Sequence, residues 1–163
     1  MARRIFFSFQ YERDVQRAGV VRNHWVTKDN AEDAGYIDNA SWEKIEKEGE
    51  QAVRDWINSQ LKGTSVTVVL IGPQTSGRYW VRYELQKSYE RGNGLLGVHI
   101  HNIKDWDKNT DSPGDAYFGA LGKDANGNDV YFVSVANTYD WANDDGYNNF
   151  SNWVEQAAKR VGK

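Results

Sequence analysis

The run SVTVVLI at residues 65–71 constrains the fold more than any other stretch of the chain. It is β-branched, uncharged and without the polar alternation of a half-solvated strand, so it needs apolar cover on both faces. That demand is met by a sheet with helices on either side. RIFFSF at residues 4–9 and GLLGVHI at residues 94–100 read as further buried strands, and VYFVSV at residues 130–135 as a last one. Val15, Ala18, Val21 and Trp25 recur at helical spacing, with Gly19 as a blemish costing under ~1 kcal/mol against Ala. Ser41 reads as the cap of one long amphipathic helix, whose stripe runs through Trp42, Ile45, Val53, Trp56, Ile57 and Leu61 to a stop at Gly63. Phe150, Trp153, Val154 and Ala157 mark a closing helix with Lys159, Arg160 and Lys163 at its negative end.

Two segments lack a period. Residues 27–40 read as a loop of unusual length, and such loops are commonly functional or mobile. Residues 101–130 are rich in Asp, Asn, Gly and Lys and read as irregular; within them DANGNDV lacks the terminal glutamate of a calcium loop and suits a hairpin turn. The alternation of strands and helices predicts a single α/β domain over residues 1–163, flavodoxin-like, a three-layer sandwich with a mainly parallel central sheet. Ligands of such sheets lie beyond the carboxyl ends of the strands, here the rims at residues 8–11, 72–77 and 101–104.

Charge and composition narrow the function. Twenty basic and 23 acidic residues leave a net charge of -3, with no basic footprint for nucleic acid. The absence of cysteine excludes disulfides, thiolate zinc sites and a thiol nucleophile, and fits a reducing compartment. No run approaches the ~20 apolar residues of a membrane span, so the expected setting is the cytoplasm, without membrane contact. Seven Trp, nine Tyr and six Phe are more aromatics than a polar chain of this length needs for a core, and several are expected to line a site.

GPQTSGRY at residues 72–79 has P-loop glycine spacing, but Arg78 and Tyr79 stand where the motif requires lysine and Ser/Thr. What remains is a Gly-rich turn at a helix N-terminus, with Thr75 and Ser76 as candidate binding residues for an anion such as a pyrophosphate. An ordinary strand-to-helix turn is the equal alternative. A receiver domain would need an acidic pair after the first strand, where this chain has Phe9, Gln10 and Tyr11. His24, His99 and His101 lack a metal spacing, and no metal is expected. Glu84 stands one turn beyond Trp80, in a row continued by Ser88, beside an apolar row of Val81, Leu85 and Tyr89. A carboxylate tucked against an indole loses water, which raises its pKa and strengthens its bonds to sugar hydroxyls. The alternative is a surface glutamate paired with Lys87 or Arg91.

YWVRYEL at residues 79–85 resembles the W-x-x-x-E signature of TIR domains, and RIFFSFQYERD at the start resembles the TIR first strand. Over nearly the whole chain, in VRNHWVTK, in residues 61–105 and in YDWANDDGYNNFSNWVEQAA, the sequence is similar to the TIR-like proteins of the bacterial Thoeris anti-phage system. The resemblance implies an enzyme that responds to infection and cleaves the nicotinamide–ribose bond of NAD. It would then make a cyclic ADP-ribose isomer or related adduct for a partner effector. NAD is then substrate, with no cofactor, and a phage-derived trigger and self-association are expected partners. By the same resemblance Glu84 is the catalytic glutamate, Trp80 its helix neighbour, and Phe6, Ser8 and Phe9 the wall of the NAD pocket. The short second strand usual in the family is replaced by a helix and residues 27–40 in this reading. A latent enzyme is expected, with Glu84 opening into a cleft. The other class is a non-catalytic TIR-like module that binds a nucleotide or signals by assembly.

Overall fold

The computed structural model describes residues 3–163. In chain order the elements are β1 (Arg3–Ser8), α1 (Val15–Val26), β2 (Ala31–Ala34), α2 (Asn39–Lys47), α3 (Glu50–Leu61), β3 (Val66–Ile71), α4 (Tyr79–Glu90), β4 (Gly94–His99), β5 (Ala120–Lys123), β6 (Asp129–Tyr131), α5 (Phe132–Val135), β7 (Ala136–Asp140) and α6 (Gly146–Arg160). Five strands form one parallel sheet in the order β2-β1-β3-β4-β7, with every residue of β3 buried at its centre. The expected α/β, flavodoxin-like sandwich is therefore the fold. Among the described residues no helix is long and apolar enough to cross a membrane.

Strand register assigns the faces. Phe7, Val68 and Leu96 are cross-strand partners, and Phe7 stacks on Phe150 of α6, which also meets Trp25 of α1 at 5.8 Å. Their neighbours Phe6, Thr67 and Leu95 point to the other face, where the Thr67 hydroxyl lies 2.6 Å from that of Ser88 on α4. The sheet order reverses between β1 and β3, because β1 leads to β2 on one side and β3 to β4 on the other. The crevice beyond those two carboxyl ends is the ligand position of open α/β sheets.

Three sequence expectations are corrected. Residues 27–40 contain β2, which pairs in parallel with β1 from Arg3↔Ala31 to Phe6↔Ala34. The family's short second strand is thus present rather than replaced. Its sequence, AEDA, shows no strand pattern because an edge strand is held by backbone bonds on one side only. The long helix from Ser41 is two helices, broken at Gly49 with φ 103°, and its cap is Asp38, whose carboxylate accepts the Ser41 N–H at 2.7 Å. The last strand is not residues 130–135: Asp129–Tyr131 closes a small antiparallel hairpin with β5, Phe132–Val135 makes one helical turn, and β7 completes the main sheet. The Phe132 ring contacts Phe118 at 5.1 Å and is buried there, which draws an apolar stretch off the sheet. The turn of that hairpin is the DANGNDV segment, with the Asp124 carboxylate accepting the N–H groups of Asn126 and Asn128.

Gly35 ends β2 at φ 77°, and a Cβ there would stand 2.6 Å from the Phe7 carbonyl oxygen and 2.8 Å from the Phe6 ring. Gly127, in the hairpin turn, has φ 80° with nothing within 4 Å of its Cβ position. Both pay the left-handed backbone cost on substitution, but only Gly35 adds a clash. Urea unfolding of Gly35→Ala is expected to show a loss at least ~1 kcal/mol larger than that of Gly127→Ala. Equal losses would mean that β2 does not approach β1 as closely as described.

Candidate active site

Ser8 closes β1, and a turn bonded from the Arg13 and Asp14 N–H groups to the Gln10 carbonyl carries Tyr11 over the strand end. Glu84 comes to the same place from the middle of α4. The Ser8 hydroxyl donates to Glu84 Oε1 at 2.9 Å, and the Tyr11 hydroxyl to Oε2 at 2.6 Å. Glu84 is 0 % exposed. Its burial is continued by a polar row: the Ser88 hydroxyl donates to the Glu84 carbonyl at 2.7 Å and meets Thr67, which also accepts from Asn93. Val81 and Leu85 beside this row enter the apolar core, so α4 lies on the sheet by a mixed stripe that leaves each buried hydroxyl satisfied.

The surroundings of the carboxyl are aromatic. Tyr11 packs against Phe9 at 4.5 Å, Trp42 at 4.4 Å and Trp56 at 6.0 Å, and Phe9 also meets Tyr36 at 5.7 Å. Burial pushes the Glu84 carboxyl up to about 8, against the opposing pull of the Tyr11 and Ser8 hydroxyls. Burial and the facing carboxylate push Tyr11 up as well. An acid in this state holds its proton near neutrality until water or a polar ligand reaches it.

The structure joins Glu84 to Ser8 directly and to Phe9 through Tyr11. Phe6 is also fully buried, on the Ser8 face of β1 and beneath Gly35. The Trp80 ring packs against Tyr79 at 4.8 Å and Tyr83 at 5.5 Å and lines a shallow pocket with Glu46, Gly49, Glu50 and Val53, so it is a helix neighbour of Glu84 turned to another surface. Thr75 is buried and its hydroxyl accepts the Gly72 N–H at 2.8 Å, while the Ser76 carbonyl accepts from Arg82. Among the described residues neither bonds to the Glu84 cluster. The Gly72, Thr75 and Arg78 N–H groups are bonded within the turn.

Nor does Glu84 open into a cleft. A strap of residues 101–118 lies across the strand ends. A Cβ added at Gly114 would stand 2.0 Å from the Gly72 carbonyl oxygen, so the strap backbone rests directly on the end of β3. Arg17 fastens it by donating to the carbonyls of Ile103 at 2.7 Å and Asn109 at 3.0 Å, and Asp111 bridges Arg17 at 3.3 Å and Arg13 at 2.7 Å. Tyr11, Arg13, Arg17 and Asp111 are site residues that sequence reasoning did not single out. The rim at residues 8–11 was the available signal for Tyr11; the others have partners nearly a hundred positions away.

The raised carboxyl makes stability depend on pH with a fixed sign. Glu84 titrates near 4.5 when unfolded and about 8 when folded, so its contribution is complete below 4.5 and is lost as pH rises through 8. Between pH 5 and 8 the wild type is expected to lose stability relative to Glu84→Gln at up to ~1.4 kcal/mol per pH unit. Urea unfolding of the two proteins across that range checks this, and a constant difference would show an acid that titrates normally.

Two comparisons with known proteins bear on this geometry. The family model described as "Thoeris protein ThsB, TIR-like domain" matches residues 6–105, a span that includes Ser8, Tyr11 and Glu84. A curated protein of Bacillus cereus (strain MSX-D12), named "Putative cyclic ADP-D-ribose synthase ThsB1", is 40% identical over 191 aligned residues, covering 94% of this chain and 100% of the relative. With its parallel sheet, its short β2 and its glutamate buried on α4 against the end of β1, the chain belongs to the ThsB TIR-like family of Thoeris proteins.

Proposed function

We propose that the chain cleaves the nicotinamide–ribose bond of NAD through Glu84 and closes the ADP-ribose into a cyclic nucleotide that signals to a partner effector in the cytoplasm. The observation that carries this reading is the pairing of both Glu84 carboxyl oxygens with hydroxyls, Ser8 on one and Tyr11 on the other, at the switch point of the sheet. A ribose diol offers the same two donors. The curated relative's name, a cyclic ADP-ribose synthase, supports the same chemistry.

In this mechanism a ribose replaces the two protein hydroxyls on Glu84. Nicotinamide leaves as a neutral molecule with the electrons of its bond, so no general acid is needed. Positive charge develops on the ribose carbon and ring oxygen, and the ionised Glu84 stabilises it at close range in a water-poor site. Phe9, Tyr36, Trp42 and Trp56 exclude water, which strengthens that interaction and limits hydrolysis.

The fully buried carboxyl also sets a condition: the resting site is closed and must open before NAD enters. The strap held by Arg13, Arg17 and Asp111 is the cover to be lifted, by a phage-derived trigger or by self-association. Purified protein is therefore expected to turn NAD over slowly, and Asp111→Ala, which removes the strap's ion pairs to both arginines, to do so faster. Chromatography of NAD after incubation measures both, and an Asp111→Ala protein no faster than wild type would remove the strap from the gate. Glu84→Gln should keep the fold and lose nicotinamide release by at least ~10²-fold. Undiminished release would remove Glu84 from the chemistry, and nucleotide binding without release in any state would assign the chain to the binding-module class.

A further inference from the structure

Arg78, the residue that opens α4, donates through one guanidinium nitrogen to both carboxylate oxygens of Glu12, at 3.0 Å each. Glu12 Oε1 also accepts the indole N–H of Trp42 at 3.1 Å. Trp42 packs on Tyr11 at 4.4 Å, and the Tyr11 hydroxyl donates to Glu84 Oε2. A chain of contacts therefore leaves α4 at Arg78 and returns to the same helix at Glu84. Its outer end is open to solvent, with 38 % of the Arg78 side chain and 31 % of the Glu12 side chain exposed, while its inner end is completely buried.

These links decide how Glu84 is uncovered. A ribose can take Oε2 only when the Tyr11 hydroxyl leaves it, and the Tyr11 ring is held among Phe9, Trp42 and Trp56. Close-packed rings move only where a neighbour gives way. Phe9 is fully buried just beyond β1, and Trp56 sits on α3, which Val53, Ile57 and Leu61 anchor in the core. Trp42 stands on α2, and of the described side chains of that helix it alone is buried. The wall that can move is thus α2, and it moves only if Trp42 withdraws. A buried indole N–H resists losing its acceptor, so Trp42 is held as firmly as Glu12 is. Arg78 holds Glu12. These links run through α2 and α4 and are separate from the fastenings of the strap to Arg13 and Arg17.

We propose that Glu12 is a positioning residue for the reaction at Glu84: clamped by Arg78, it holds Trp42 against Tyr11 and so keeps the Tyr11 hydroxyl on Glu84 until the clamp is released. This rests on the NAD-cleaving reading of Glu84. In the closed state every link is made and the carboxyl is sealed. In the open state Glu12 and Arg78 part, Trp42 withdraws with α2, Tyr11 follows it, and a ribose reaches Oε2. Once substrate is seated, Trp42 closes on it and excludes water again, with no need of the clamp. Because only the open fraction binds substrate, the apparent affinity for NAD is reduced by that fraction. Ion pairs exposed to this extent are weak and reversible, as release requires. A partner that takes hold of Glu12 or Arg78 at the surface shifts the balance without touching the reacting groups.

The test reads the exposure of Glu84 without substrate. Carbodiimide with an excess of a small amine labels carboxyl groups that solvent can reach, and trypsin releases Glu84 in the peptide Tyr83–Lys87, where it is the one side-chain carboxyl. Asp14, also buried, is released in Asp14–Arg17 in the same way and reports general loosening. Glu12→Ala removes both contacts of the clamp and is expected to label Glu84 at least ~10-fold faster than wild type. Arg78→Gln leaves the acceptor of Trp42 in place and should give roughly 3-fold. The double variant should be no faster than Glu12→Ala, and Asp14 should label at the wild-type rate in all three, with circular dichroism to establish folding. With NAD, Glu12→Ala should show a KM at least ~10-fold lower and an unchanged kcat, because the clamp sets the open fraction and not the chemistry. Glu84 labelling at the wild-type rate in folded variants, an equal rise at Asp14, or an unchanged KM overturns the proposal. If Glu12→Ala does not fold, Arg78→Gln decides alone. If no protein releases nicotinamide in any state, the reading of Glu84 fails separately and the labelling rates decide the clamp.

Discussion

One carboxyl group shared by two hydroxyls, Glu84 between Ser8 and Tyr11, ties α4 to β1 and the turn beyond it. Removing an acid from water is costly, and the protein meets that cost by saturating both oxygens and by letting the group keep its proton near neutrality. The polar row through Ser88, Thr67 and Asn93 extends the same solution down the helix, so that α4 lies in a fixed register on the central strands. Precision at the strand ends follows from it. A purely apolar helix face would pack as tightly but would leave no reactive group at the switch point.

The same economy explains why the site is closed. The strap rests on Gly72 at the end of β3, and arginines at the start of α1 hold it through backbone carbonyls and one shared aspartate. Partly exposed ion pairs of this kind contribute little each, typically under ~1 kcal/mol, and are reversible. The core beneath is not: Phe6, Phe7, Phe9 and the residues of β3 are buried without exception. Rigid floor and releasable cover are what a latent enzyme requires, since motion then changes access without disturbing the geometry of the reacting groups.

Much of this was legible in the sequence where the environment is uniform. Residues 65–71 announce a central strand because both faces demand the same apolar chemistry, and Glu84 stands out because its row on the helix continues in Ser88 beside Val81 and Leu85. The edge strand β2 escaped because AEDA is held by backbone alone, and the break at Gly49 because α2 and α3 present one continuous stripe on either side of it. Helical spacing makes Trp80 the row neighbour of Glu84, because residues four apart share a helix row, but its ring leans toward Tyr79 and Tyr83 instead. Tyr11 looks like a turn residue in sequence. Its partner is a carboxyl 73 positions away, a distance that no local pattern encodes.

The central claim is that Glu84 exchanges its two protein hydroxyls for those of a ribose. The most direct measurement is a crystal structure of Glu84→Gln with NAD bound in the activated state. The account predicts the nicotinamide-side ribose at the β1/β3 switch point, its hydroxyls within hydrogen-bond distance of the residue 84 side chain, with Ser8 and Tyr11 displaced from it. NAD bound elsewhere, with residue 84 still enclosed by Ser8 and Tyr11, would contradict it.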